Sequence, residues 1–372
     1  MSEFHVEVGL LEKVEKHPNA DSLSIGEIHG YPVIFRTGDY AEGEKVVHVP
    51  IDAVVPMDDP QWEFLGKHNR IKAKRLRSVF SMGLLAKAKP EWEVGQDVQE
   101  AMRILRWDND PYDNKSTGHP GSRFESAPRV PAPKTATPLP VYDIEGLRKY
   151  KSHLEEGEEV AISEKIHGSS ARYLWDGEKL HVGSRKEFKD SSMESDLWTR
   201  VATRYDLATK LKPYPQMALY GEVYGQVQDL KYGAGQDDVR FAAFDVFDSV
   251  AGKWLDFAAF ESLCQSVGIP MVPLLYKGPW RVDLMALAEG HSVLPGANHV
   301  REGIVVKPLQ ERWERRLGRV ILKMPGQGYH LRDKNGQPPA ELADIVEAAD
   351  KMTAELYKAK LQAAVRDLPT QS

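Results

Sequence analysis

The octapeptide Ser163 to Ser170 reads Ser-Glu-Lys-Ile-His-Gly-Ser-Ser, and its lysine is the residue with the most chemistry to offer. At a strand end, a lysine two residues before His167-Gly168 presents its amine into a pocket, while Gly168 lets the backbone turn closely past a ligand. Such an amine attacks only when neutral, and at an unperturbed pKa of ~10.4 about one in a few thousand is neutral at pH 7. Nearby cations, side chains or a magnesium ion, would depress the pKa, because like charge disfavours the ammonium form. The chain supplies candidates in ordered company: Ser184-Arg185, then Tyr220-Gly221-Glu222-Val223-Tyr224-Gly225, then Ala243-Phe244-Asp245, then Arg301-Glu302-Gly303-Ile304-Val305-Val306-Lys307-Pro308, then Val320-Ile321-Leu322-Lys323. Arg185, Lys307 and Lys323 are expected to lower the Lys165 pKa and to steady charge on phosphate oxygens. Glu222 and Glu302 offer oxygen ligands for hydroxyls and a hard divalent ion, and Phe244, with Phe241 as the alternate, offers a ring for stacking.

Strands and helices must hold these side chains in place. From Val141 to about Arg332, strand-like runs alternate with amphipathic helices, as in an α+β domain. Ala171 to Trp175, Met217 to Val223, Phe241 to Phe247, Gly303 to Lys307 and Arg319 to Lys323 read as strands. One helix is expected within Met193 to Leu211, and another from Phe257 to Val267, with Asp256 capping its start and Gly268 and Pro270 ending it. Residues 1–105 carry short stretches such as Gly30 to Phe35 and Lys45 to Val49 between turn signals, which predicts a small barrel or sandwich. The segment 106–140 holds seven prolines between Pro111 and Pro140 and almost no apolar periodicity, so it reads as an extended or partly disordered linker. In the tail, 333–372, Leu342, Ile345, Val346, Ala349, Met352 and Leu356 describe one apolar helical stripe.

A length of 372 residues exceeds the ~100–200 of one ordinary domain, and 41% hydrophobic with 28% charged residues excludes a chain disordered throughout. There is no apolar run of about 18 residues, and Met1 to Val8 carries acids where a leader needs a basic start, so a cytoplasmic protein without a membrane partner is expected. Cys264 is the single cysteine, which excludes an internal disulfide and a cysteine-based zinc site and leaves it as a buried helix residue. The formal charge of −6 predicts no bulk affinity for nucleic acid, so any binding must come from a local patch. Lys67, Arg70, Lys72, Lys74, Arg75 and Arg77 form one, six cations in eleven residues.

The ordered motifs around Lys165 resemble the covalent nucleotidyltransferase superfamily of ATP-dependent polynucleotide ligases and capping enzymes, over about residues 141–330 of an expected domain at 141–332. Lys165-Ile166-His167-Gly168 is similar to the template-dependent RNA ligases, and the extra domain ahead of the motifs is similar to the Deinococcus-type RNA ligase. The resemblance implies an adenylyltransferase domain of antiparallel sheets with helices, with ATP and Mg2+ or Mn2+ as cofactors. Lys165 would become the lysyl-AMP, with His167 and Gly168 lining the nucleotide; Arg185 would contact the nucleotide and the 5′-phosphate end. Glu222 would bind ribose, Phe244 the base, Glu302 and Lys307 metal and phosphate, and Lys323 the α-phosphate, with Glu222 and Glu302 as metal ligands. Many ligases carry Lys-x-Lys in the last motif, and here Ile321 stands where the first lysine would be.

Lys13 to Leu23, Gly43-Glu44 and Arg77 to Leu85 resemble the tRNA-binding OB-fold family, which implies an OB-like barrel over residues 1–105. Its cationic patch would bind a strand with Trp62, Phe64 and Phe80 nearby, while His17 and Asp21 read as turn formers and not as ligands. Together the resemblances imply an ATP-dependent RNA ligase that seals 3′-hydroxyl/5′-phosphate nicks in an RNA or RNA/DNA duplex, with no obligate protein partner. A DNA ligase differs in its indifference to ribose at the 3′ end, and a capping guanylyltransferase in its use of GTP. A nucleic-acid-binding protein with a decayed catalytic domain would label with neither nucleotide.

Overall fold

The protein is described by a computed structural model over residues 4–107 and 126–366. Two compact units divide it, one of residues 2–109 and one from residue 110 onward.

In the first unit, Glu7–Leu10, Lys45–Val49 and Leu84–Lys87 form an antiparallel sheet with Lys45–Val49 in the centre. Lys13–Lys16, Leu23–Ile28 and Tyr31–Arg36 form a second antiparallel sheet, a meander. Alternation turns Val8, Val47, Val49 and Ala86 inward against Trp62, Ile71, Trp92 and Ile104. The hairpin of Lys74–Leu76 and Val79–Ser81 turns through Arg77 and Ser78, both in the left-handed region at φ 44° and 72°. Such a turn without glycine needs outside support. His17 provides it as a turn former: its buried ring takes a bond from the Asn19 N–H at Nδ1 and lies 3.0 Å from the Leu76 carbonyl at Nε2. The Asn19 amide completes the clamp by donating to the Arg77 carbonyl at 2.9 Å.

The second unit is built on two sheets. Seven antiparallel strands run in the order Arg129–Val130, Phe188–Lys189, Leu180–Ser184, Ser169–Trp175, Met217–Gly225, Val239–Asp248 and Lys253–Trp254. The five-stranded sheet runs Glu145–Gly146, Leu322–Pro325, Gly303–Pro308, Glu159–Lys165 and Leu274–Pro279, antiparallel except for its short first pair. The helices Leu197–Arg204, Leu207–Leu211 and Phe257–Val267 bury Trp198, Leu211, Phe260 and Cys264 in the core of the larger sheet.

Several local expectations change. The single helix expected within 193–211 is two, because Asp206 takes a left-handed conformation, φ 49°, between them. Asp256 does not cap its helix; its carboxylate accepts from the Glu311 N–H at 2.7 Å. The strand expected over Arg319 to Lys323 is broken at Val320 and Ile321, where the Ile321 N–H bonds the Arg319 carbonyl. Within the proline-rich segment, residues 108–125 lie outside the described residues, while from Ala127 the chain is built into the second unit. The Ala127 N–H donates to Asp196, Arg129–Val130 joins the larger sheet, and Leu139 packs beside Tyr142. In the tail, the helix Ala343–Arg366 buries Val346 and Ala349 and lays Met352 and Leu356 against the core of the smaller sheet, while Ile345 faces outward. Among the described residues, no helix is long and apolar enough to cross a membrane.

Candidate active site

Strand register sorts the smaller sheet into two faces. Lys165 pairs with Gly303, Ser163 with Val305, Ala161 with Lys307, and Val305 with Lys323. Directly opposed residues share a face, so Lys165, Lys307 and Lys323 lie on one side. The other side carries Val160, Ile162, Ile304, Val306, Leu322 and Met324, all buried in one core. Alternation of apolar and functional residues thus presents three lysines from an otherwise ordinary sheet.

Lys165 closes its strand, and its Nζ donates to Glu302 Oε1 at 2.7 Å, with side chains 23% and 11% exposed. Glu222 reaches the same place from the larger sheet, where it pairs with Ser170. A Cβ on Gly168 would lie 2.1 Å from the Val223 carbonyl oxygen and 3.0 Å from Glu222 Cγ, so only glycine lets the two segments pass. Burial by itself would lower the Lys165 pKa, but Glu302 and then Glu222 outweigh both burial and the repulsion of Arg185. The protein's own groups therefore hold the amine above the ordinary lysine value, which corrects the expectation that side-chain cations depress it.

The expected cations do not all gather there. Lys307 is buried, donating to Asp245 Oδ1 at 3.1 Å. It also stands four residues along from Gly303, roughly 13 Å at ~3.3 Å per residue. Asp245 takes two further bonds at Oδ2, from Arg319 at 2.6 Å and from the Tyr142 hydroxyl at 2.9 Å, so Lys307 belongs to a closed ionic cluster. Arg185 pairs with Asp143. Lys323 is half-buried on its strand, and Ile321 is fully buried.

The aromatic expectations divide as well. Phe244 packs on Tyr142 with ring centroids 4.5 Å apart, at the bulge where Tyr220 pairs with Asp245 and Gly221 with Ala243. Phe241, the alternate, is buried in the core against Tyr173 and Tyr205 and cannot stack on a ligand.

A second cluster adjoins Lys165 that the sequence did not reveal. His167 Nε2 lies 2.7 Å from Asp229 Oδ1, and its Nδ1 3.2 Å from the Tyr329 hydroxyl. Arg332 donates to Asp229 Oδ2 at 2.7 Å and lies 4.0 Å above the centroid of the Tyr329 ring. Burial would raise the Asp229 pKa, but His167 and then Arg332 overcome it and hold the carboxyl well below the usual range. Asp229, Tyr329 and Arg332 lie 62 to 165 residues from His167 along the chain, and no spacing signal links them.

Glu302 Oε2 is buried without a hydrogen-bond partner and sits 3.9 Å from His167 Nδ1. An orphaned carboxylate oxygen costs free energy unless something positive meets it. With Glu222 beside it, the donor set suits a hard divalent ion that completes its shell with water and phosphate oxygens. Among the described residues, no group of three or more His, Cys, Asp or Glu forms an all-protein metal cage.

In the first unit, Lys67, Lys72, Lys74 and Arg77 are exposed, while Arg75 is half-buried. Arg70 is drawn off by Asp52 at 2.7 Å and by the Trp107 ring at 4.6 Å. Of the three nearby aromatics, Trp62 and Phe80 are buried and only Phe64 is free to stack, at 70% exposure.

Residues 158–324 match the RNA ligase family, and residues 6–88 match an OB-fold domain family. No curated protein matches the chain. Among solved structures, a variant of Naegleria gruberi RNA ligase with ATP and Mn is similar at TM-score 0.75 and 20% identity, covering 89% of this chain and 100% of that one. Naegleria gruberi RNA ligase with PPi is similar at TM-score 0.75 and 20% identity, over 87% of this chain and 97% of that one. A variant with AMP and Mn gives TM-score 0.76 at 19% identity, over 89% and 99%. At such identity the likeness establishes the fold, an α+β chain with an OB-fold domain ahead of a domain of antiparallel sheets. Residues 158–324 thus form an RNA ligase domain carried behind an OB-fold domain, and the chain is an RNA-joining enzyme.

Proposed function

We propose that the protein is an ATP-dependent ligase that seals 3′-hydroxyl/5′-phosphate nicks whose 3′-hydroxyl strand is RNA, through a lysyl-AMP on Lys165 and an adenylylated 5′ end. The observation that carries this reading is the Lys165 amine at a strand end, bonded to Glu302 with Glu222 beside it. ATP is the nucleotide inferred, because solved structures similar to this chain hold ATP or AMP with Mn.

In the first step, the Lys165 ammonium, bonded to Glu302 Oε1 at 2.7 Å, loses its proton to solvent once the charge of Glu302 and Glu222 is offset. The freed lone pair attacks the α-phosphorus, and the bond to the bridging oxygen of pyrophosphate breaks. A 5′-phosphate oxygen then displaces the lysine to form the adenylylated end, and a 3′-hydroxyl displaces AMP. Glu222 and Glu302 would hold a Mg2+ or Mn2+ ion, whose charge offsets that of the phosphate oxygens. Lys323 adds positive charge on the same sheet face as Lys165, and Arg185 adds it from the end of a strand of the larger sheet. His167, fixed by Asp229 and Tyr329, orients the turn that carries the nucleophile.

The strand preference is tested on nicked duplexes differing only in the sugars at the 3′-hydroxyl side. The reading expects sealing with terminal ribose and accumulation of the adenylylated 5′ end with deoxyribose. Equal sealing of both identifies a DNA ligase instead. Labelling by GTP and not ATP identifies a capping-type enzyme.

A further inference from the structure

Behind the Lys165–Glu302 pair sits a second pair of charges, one residue back along each segment. Glu164 and Arg301 immediately precede Lys165 and Glu302, and both are buried, at 1% exposure each. Two charges withdrawn from water give little net stability compared with apolar residues of like shape, so their presence calls for another explanation. Burial prevails in both, raising the Glu164 carboxyl above its ordinary value and lowering the Arg301 guanidinium, while the charge of each partner opposes that shift.

Both are fastened to the segment 290–293, and Arg301 also to the terminal helix. Glu164 Oε2 accepts from the Val293 N–H at 2.9 Å. Arg301 donates from Nε to the His291 carbonyl at 3.0 Å and from Nη2 to Thr353 Oγ1 at 3.4 Å, and lies 4.0 Å from Asp350 Oδ1. Asp350 also holds the His291 backbone N–H at 2.8 Å and its ring Nδ1 at 2.7 Å. Space is fully used: a Cβ on Gly290 would lie 2.6 Å from Arg301 Nη2 and 2.7 Å from Asp350 Oδ1.

We propose that Asp350 and Thr353 of the helix Ala343–Arg366 are positioning residues for the first chemical step, acting through Arg301 and Glu164 to fix the backbone that carries Glu302 and Lys165. The helix holds no residue of the nucleotide site, yet through this contact it sets the alignment of the attacking amine. The inference rests on the lysyl-AMP reading above.

The test is single-turnover formation of the lysyl-AMP against ATP concentration for wild type, Asp350→Ala, Asp350→Glu, Thr353→Val and Gly290→Ala, with thermal midpoints measured beside it. Misplacement of the amine lowers the rate at saturating ATP by about tenfold in Asp350→Ala and Gly290→Ala, with the half-saturating ATP concentration unchanged. Asp350→Glu, which keeps the charge, recovers most of the rate. Should Asp350→Ala fail to fold, Thr353→Val, which removes only a hydroxyl, shows the same split on a smaller scale. Wild-type rates at saturating ATP in the folded variants overturn the proposal, as does a change confined to half-saturation. A wild type that forms no adduct overturns the lysyl-AMP reading itself, which separates the two failures.

Discussion

Lys165 is held as an ammonium by the carboxylates that serve it, so its activation depends on what neutralises Glu302 and Glu222. In the metal-free protein, removing one anion lowers the lysine pKa, and Glu302→Gln therefore makes Lys165 react with an amine-modifying reagent at lower pH than wild type. Peptide mapping across a pH series reads this directly; an unchanged or higher onset of modification contradicts the assigned electrostatics. Gly168 is constrained by contact and not by charge, since a Cβ there meets the Val223 carbonyl at 2.1 Å. Gly168→Ala should cut lysyl-AMP formation by about a hundredfold as the segments part, measured by transfer from labelled ATP. A rate within a few fold of wild type would show that the close approach is dispensable.

At the level of strands and helices, the cluster of Asp245, Lys307, Arg319 and Tyr142 ties the larger sheet to the strand Gly303–Pro308. Burial would raise the Asp245 carboxyl, but Arg319 and then Lys307 hold it below its ordinary value. Asp245→Asn strands two buried cations and should cost about 3–5 kcal/mol in urea unfolding at pH 7. Because the native pKa is depressed, this contribution is present above the ordinary carboxylate pKa of ~3.9 and fades as pH falls toward the depressed value, so the gap between the proteins closes in acid. A loss below about 1 kcal/mol at pH 7 contradicts the role given to the cluster. Strand cores such as Gly303 to Lys307 were legible in the sequence because apolar runs announce buried strands. The break at Val320 was not, because it comes from Arg319 being drawn to Asp245 and Glu311, tertiary partners that local spacing does not encode. For the same reason Lys165, Glu222 and Glu302 could be picked out by motif, while Asp229, Tyr329 and Arg332 could not.

Across the whole molecule, the division into a small β unit and a larger α+β unit followed from composition, but residues 126–140 look like linker only because prolines mask their few anchoring contacts. Local cations on an acidic chain place the expected nucleic-acid contact in the first unit, where Lys72, Lys74 and Arg77 remain exposed. If they meet phosphates, replacing all three by alanine flattens the salt dependence of nicked-duplex binding by up to about 0.9 per lost contact, and an unchanged slope removes the patch from the interface. The central claim remains the covalent chemistry of Lys165, and transfer of the α-phosphate label from ATP to protein tests it most directly. Protein freed of bound AMP is given a divalent metal and labelled ATP or GTP, beside Lys165→Ala. The account predicts a covalent adduct with ATP alone, absent from the alanine variant; no adduct on folded wild-type protein, or an adduct that survives loss of Lys165, contradicts it.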